Sequence, residues 1–289
     1  MNICDISGTA EPVSGDVFVI EAAFGAFLLV GALILLRWFF AQNPLRRLDD
    51  APLRENSLPA YLPFIVVFVW LLLMGMFQAI ARDYFGDDLS VENQIAKYSG
   101  LILAELLTII VILFVASRYF EDGIAGFGLK LSNLKEDIKT GFINYIAVYP
   151  AVLFMLWLVV FLMGLFTGEE FIIPKNQSLE VIIESESIVL KALVALTAGL
   201  FVPIFEEMLF RGLVQSMAVQ IVGSRWFGIV LTSILFVIMH STSLWIHWPA
   251  LMVLSLCLGY EYEKSGSLIR PIVIHILFNS VNIAAILLA

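Results

Sequence analysis

Residues 203–212 read Pro-Ile-Phe-Glu-Glu-Met-Leu-Phe-Arg-Gly, and they follow directly on the apolar run 188–205. Glu206, Glu207 and Arg211 therefore lie inside a stretch that otherwise has the character of a membrane span, which takes about 20 apolar residues. A charged side chain at mid-span costs roughly 2.5–3.5 kcal/mol on insertion scales, so three of them facing lipid would cost about 8–10 kcal/mol. They must face a protein interior or a wet cavity. That requirement predicts an all-α, polytopic transmembrane helical bundle and makes this segment the first candidate for function.

The composition agrees with such a bundle. Hydrophobic residues make up 61% and charged residues 14% of the chain, with a mean hydropathy of +0.96, whereas soluble domains are about a quarter charged. A formal charge of −9 argues against nucleic acid, which is bound through clustered Lys and Arg. Cys4 and Cys257 stand at opposite ends and suggest neither a disulfide framework nor a cysteine metal site. No basic region precedes the first apolar run, so a cleaved signal peptide is not expected.

Apolar stretches near 17–36, 61–81, 98–117 and 142–168 give four spans. The run 188–205, two short legs within the uncharged stretch 226–260, and 271–289 give four more, about eight in all. The turn between the two legs is expected around Ser241 to Pro249. Segments 37–54, 118–140, 211–225 and 264–270 carry twelve of the 16 Lys and Arg residues, against Arg82, Lys97, Lys175 and Lys191 on the other side. Basic residues favour the cytoplasmic face, so both termini are expected outside, with the Glu pair toward the cytoplasmic half of a cell (inner) membrane. The loop 169–186, with five Glu and one Lys, reads as a solvated outer loop. Leu131, Leu134 and Ile138 among charged residues have the spacing of a short interfacial helix over 129–141. The expected division is an N-terminal region of four spans, 1–184, followed by a transmembrane domain, 185–289, that carries the Glu pair and all three histidines.

Pro203 suits a helix start, where its missing N–H matters little. Glu207 and Arg211, at i and i+4, then share a face and can pair. Glu206 is rotated about 100° from Glu207, which leaves it free to face a cavity and act as a general base on water. All three histidines fall in the C-terminal part: His240, His247 and His275. Phe236 and His240 share a helical face, as do His275 and Asn279. Imidazole can move a proton near neutral pH, and an amide N–H can donate to a developing oxyanion. His247, flanked by Trp245 and Trp248, fits an interfacial turn and is assigned no catalytic role. Glu21 and Glu105 are further carboxylates in spans, with no role assigned from sequence. No HExxH pair occurs. No cofactor is firmly implied, yet two His and a Glu could hold zinc or another divalent ion, in which case Glu206, His240 and His275 are the expected ligands.

Glu206-Glu207-Met-Leu-Phe-Arg211-Gly212, Phe236-Val-Ile-Met-His240, the run from Gly259-Tyr260 to Gly266-Ser267-Leu268, and His275-Ile-Leu-Phe-Asn279 occur in one order over about 185–285. That series resembles the CAAX protease and bacteriocin-processing (CPBP, or abortive-infection) family of intramembrane proteases. The resemblance implies a helical-bundle endopeptidase whose site opens within the membrane toward the cytoplasm and whose substrate is a membrane-anchored peptide or protein. It further implies that Glu206 and His240 activate water, that His275 and Asn279 form an oxyanion hole, and that Glu207 and Arg211 hold the site in register. Prenyl-CAAX specificity does not follow from the motifs alone, and the family has also been described as metalloproteases. Two alternatives come from other classes: a non-proteolytic membrane scaffold or immunity protein, and a proton-coupled transporter. Against the transporter, the N-terminal half shows no inverted repeat.

Overall fold

The computed structural model describes residues 15–41, 48, 51, 54–86, 90–167, 181, 183–240 and 246–288. Long helices account for nearly all of them: α1 (Gly15–Ala41), α2 (Leu62–Phe85), α3 (Val91–Tyr119), α4 (Leu134–Thr167), α5 (Ile188–Val222), α6 (Arg225–Met239), α7 (Trp248–Ser265) and α8 (Ile269–Leu288). Among the described residues no strand forms beyond an isolated bridge between Asn56 and Phe120. Helices α1 to α5 are long and apolar enough to cross a membrane, while α6 and the apolar part of α8 are shorter. Helix α7 ends in Glu261, Glu263 and Lys264, so its charged last turn reduces its apolar length.

The helix boundaries follow local chemistry. Ser187 and Ser224 cap α5 and α6, each hydroxyl accepting a backbone N–H three residues on at 3.3 Å. Two Gly-Ser pairs close the C-terminal hairpins. Gly223 and Gly266 end α5 and α7 in the left-handed region, at φ 73° and 69°, where a residue without Cβ meets no steric penalty. Ser224 and Ser267 then start the returning helices, Ser267 Oγ accepting from Ile269 N at 3.2 Å.

Helix α5 is central. It packs against α3 on one side and α6 and α8 on the others, while α4 supports α1, α7 and α8, and α2 lies along α3. One buried apolar cluster joins α3, α5 and α6 through Ile112, Phe205, Leu209 and Phe236, and another joins α1, α4 and α7 through Phe39, Val148 and Leu258. Phe64, Phe68, Ile110, Phe114 and Ile238 point outward, as lipid-facing side chains of a bundle do.

Three expectations are corrected here. The segment 129–141 is not a separate interfacial helix: after a single tight turn at Leu131–Asn133, α4 runs unbroken from Leu134. Nothing breaks it at Gly141, where a Cβ would lie 2.9 Å from Val273, so glycine here allows close approach of α4 to α8. Pro203 does not start a helix but sits inside α5. His240 lies one residue past α6, with extended backbone at φ −80°, ψ 125°, and caps that helix instead of projecting from its face. Of the other expectations, the loop 169–180, Arg46, Arg47 and Trp245 fall outside the described residues, as does most of the turn after His240.

Candidate active site

The Glu pair rides on a short α-helical piece, Val202–Glu207, between two π-helical segments, Thr197–Phe201 and Met208–Gln215. Pro203 gives the physical reason for the first. It has no N–H to donate, and the preceding Val202 N–H donates back to Thr197 O, so the Ala198 carbonyl loses both its α-type and its π-type donor. A bare carbonyl in a membrane interior is costly. Helix α8 supplies the replacement: Asn279 Nδ2 donates to Ala198 O at 2.8 Å, and Ser280 Oγ to Gly199 O at 3.5 Å. A Cβ on Gly199 would sit 3.2 Å from Ser280 Oγ, which explains a glycine at the contact. Wide helical turns of this kind are frequent at functional sites.

Glu207 and Arg211 are fully buried and paired, Oε2 to Nε at 3.3 Å. Arg211 Nη2 donates to Ser255 Oγ on α7 at 3.1 Å, and the guanidinium lies 4.8 Å from the centre of the Phe236 ring. The other Glu207 oxygen meets His275 Nδ1 at 2.8 Å. A carboxylate can only accept, so Nδ1 carries the hydrogen and Nε2 is the nitrogen turned to the site. His275 Nε2 stands 3.8 Å from Glu206 Oε2, and the Glu206 side chain keeps 17% of its exposure where Glu207 keeps none. Adjacent residues thus have different tasks: Glu207 orients an imidazole and neutralises an arginine, whereas Glu206 reaches the open side.

Phe236 organises the remaining members. Its ring lies 4.4 Å from that of His240 and 5.8 Å from that of His275. His240 Nδ1 donates to the Phe236 carbonyl at 2.7 Å, which again leaves Nε2 available as the outward nitrogen. Asn279, expected from the resemblance as an oxyanion donor, uses one amide hydrogen on Ala198 O and retains a second. His247 stands at the start of α7. The Glu207–His275 contact joins residues 68 apart, and sequence spacing carried no sign of it.

Residues 188–281 match the family described as type II CAAX prenyl endopeptidase Rce1-like. The matched segment is similar to that family, and the rest of the chain lies outside the match. The match agrees with the resemblance carried by the four motifs and begins at the first residue of α5. No curated protein and no solved structure matches the chain. The Rce1-like segment holds every site residue described so far, while α1 to α4 lie outside it.

The set expected for zinc does not form. Among the described residues no three His, Cys, Asp or Glu side chains are grouped to hold a metal ion. His275 is taken up between two carboxylates and His240 is turned onto its own backbone.

A second buried charge cluster ties the N-terminal region to the hairpin between α7 and α8. Glu263 meets Arg54 at 2.6 Å and Arg225 at 3.5 Å, and Arg225 also donates to the carbonyls of Leu48 and Ala51. Arg270 meets Asp137 at 2.7 Å and Glu261 at 3.2 Å. The Arg54 guanidinium stacks 3.6 Å over Tyr262, whose hydroxyl donates to Phe127 O at 3.0 Å. A cavity of about 370 Å³ lies at this cluster, lined by residues including Arg54, Asp122, Asp137, Ser267 and Arg270. It does not include the Glu pair.

Proposed function

We propose that the protein is an intramembrane endopeptidase that hydrolyses a peptide bond of a membrane-anchored protein substrate by water activation, without a resident metal. The observation that supports this most directly is the unequal pair: Glu207 sealed against Arg211 and His275, and Glu206 partly open beside His275. Glu206 accepts a proton from water, assisted by His240, as the oxygen attacks the scissile carbonyl, and returns it to the leaving amine. The second amide hydrogen of Asn279 is offered to the developing oxyanion, and His275 joins it as a donor only when Nε2 as well as Nδ1 carries a hydrogen. Glu207 fixes the tautomer and tilt of His275, as the carboxylate does in a Ser-His-Asp triad. The Rce1-like match points to prenylated CAAX-type proteins as the substrate class, and the basic asymmetry of the loops to a site facing the cytoplasm of the cell membrane.

The substrate is sought by membrane proteomics on cells carrying wild type or Glu206→Gln. Accumulation of a longer form of a membrane-anchored protein in the variant supports the reading. Identical membrane proteomes would favour the scaffold alternative.

A further inference from the structure

The loop between α3 and α4 lies outside the matched segment, yet it reaches the helix that carries the Glu pair. Phe127 in this loop is fully buried. Its ring fills the space beside Gly212 on α5: a Cβ on that glycine would lie 2.1 Å from Phe127 Cζ and 2.4 Å from Cε2. Glycine is among the poorest helix formers, and Gly212 stands within the wide turns of Met208–Gln215, so the approach of the ring gives the reason for it. The ring is not free to swing aside. Phe120 packs edge-on against it at 5.2 Å, and the Phe127 carbonyl accepts the Tyr262 hydroxyl at 3.0 Å. Gly128 follows at φ 104°, and its carbonyl accepts the Leu268 N–H at 2.9 Å. We propose that Phe127 is a positioning residue of the active site, its ring wedged against α5 at Gly212 so as to fix the turn that holds Arg211 against Glu207.

The contacts around the wedge close on themselves. Ser216 Oγ lies 3.4 Å from Arg211 O and 3.2 Å from the Tyr262 hydroxyl. The Tyr262 hydrogen goes to Phe127 O, so the Ser216 hydrogen is left for Tyr262 and the Arg211 carbonyl to share. The turn bearing Arg211 is thus gripped at its side by the Phe127 ring and at its carbonyl by Ser216, and Tyr262 ties the two together. From there the links are those of the site: Arg211 pairs with Glu207 at 3.3 Å, and Glu207 holds His275 Nδ1 at 2.8 Å. A methyl added at Gly212 must move the ring or the helix by on the order of 1 Å to restore ordinary carbon–carbon contact. A misplacement of that size costs about 10² in rate when it reaches the chemistry. Phe127 touches neither substrate nor reacting atoms; it acts through Arg211 and Glu207 on the tilt of His275. The region before the matched segment thereby contributes to the site itself.

This role rests on the endopeptidase reading, but one arm of its test does not. The full chain, carrying nitrogen-labelled arginine in lipid nanodiscs, gives an NMR signal for each guanidinium Nε–H, and the Arg211 signal is the one that Glu207→Gln displaces most. Gly212→Ala should move this signal, and adding Phe127→Ala to Gly212→Ala should bring it back toward its wild-type position. Turnover of a membrane-anchored peptide should follow the same course: kcat falls by about 10² in Gly212→Ala with KM changed less than about twofold, and recovers by roughly tenfold or more in the double variant. Phe127→Leu shortens the wedge without adding a methyl, and it should move the signal and lower kcat at unchanged KM even where Gly212→Ala does not fold. Thermal melting gives the folded fraction for every rate. An Arg211 signal unmoved in folded Phe127→Leu, or a double variant no faster than folded Gly212→Ala, overturns the proposal. A signal that moves and returns as stated in a protein that cleaves no membrane-anchored peptide would instead defeat the endopeptidase reading and leave the wedge standing.

Discussion

The structure buries charge in two places, and they are built differently. At the junction of α7 and α8, three acids (Asp137, Glu261 and Glu263) meet three arginines (Arg54, Arg225 and Arg270). Around α5, two adjacent acids, Glu206 and Glu207, accompany one arginine, Arg211, which pairs with Glu207. None of the acids in the first cluster has a buried oxygen without a hydrogen-bond partner, whereas Glu206 and Glu207 each have one. The first arrangement is balanced and fixes two parts of the chain together. The second carries unbalanced acid in a membrane interior, where such groups are costly and mark function. Buried charge is thus a poor guide to chemistry until its partners are counted.

Several substitutions sharpen or break that contrast, taken here by expected effect on turnover. Glu207→Gln keeps the size of the side chain but weakens its hold on Arg211 and on the His275 tautomer, and the corresponding change in a Ser-His-Asp triad costs about 10⁴ in rate. Turnover should fall by a comparable order, together with the melting temperature in detergent, because the same carboxylate serves both. Retained stability with lost turnover would separate the two tasks assigned to it. Asn279→Ala removes one oxyanion donor, for which roughly 10²–10³ in rate is expected, and also strips Ala198 O of its partner. Some loss of stability should therefore accompany the partial defect, and a stable, fully active variant would mean that neither contact matters.

Glu263→Ala probes the balanced cluster. It leaves Arg54 and Arg225 without their shared carboxylate, and breaking a buried pair from one side destabilises by about 3–5 kcal/mol. Per folded molecule, turnover should change little, as measured by active-fraction kinetics alongside melting. A specific loss of rate in fully folded protein would bring this cluster into the chemistry. His247→Ala should be nearly silent in both assays. Exhaustive chelation should leave turnover unchanged, and stoichiometric zinc whose removal abolishes and whose return restores activity would overturn the metal-free scheme.

Much of this site was legible in the residues. Intramembrane Glu and Arg on a helical spacing gave the Glu207–Arg211 pair, and the four ordered motifs drew attention to His240, His275 and Asn279 as candidates. What escaped depends on tertiary contact. The Glu207–His275 bond joins different helices, and no local spacing encodes it. The π turns arise because Pro203 cannot donate, yet the carbonyl this frees is satisfied from α8, so reading Pro203 as a helix start was the natural local inference and an incorrect one. His240 left its helix for a similar reason, its ring turning back to the Phe236 carbonyl. Arg54 and Arg225 counted toward membrane orientation as surface charges, whereas the fold encloses both at a helix junction. Fold class was the most legible feature, since 61% hydrophobic composition admits few alternatives.

The central claim is that Glu206 is the proton acceptor in peptide-bond hydrolysis, and Glu206→Gln tests it most directly. The change keeps shape and hydrogen-bonding capacity while removing the base. Purified wild type and variant, reconstituted in lipid, are compared on a prenylated membrane-anchored peptide, with cleavage followed by mass spectrometry and folding by thermal melting. The account predicts an unchanged melting temperature and a fall in turnover of about 10²–10⁴, the range attributed to general acid–base catalysis. A variant that cleaves at the wild-type rate would contradict it and make the carboxylate structural.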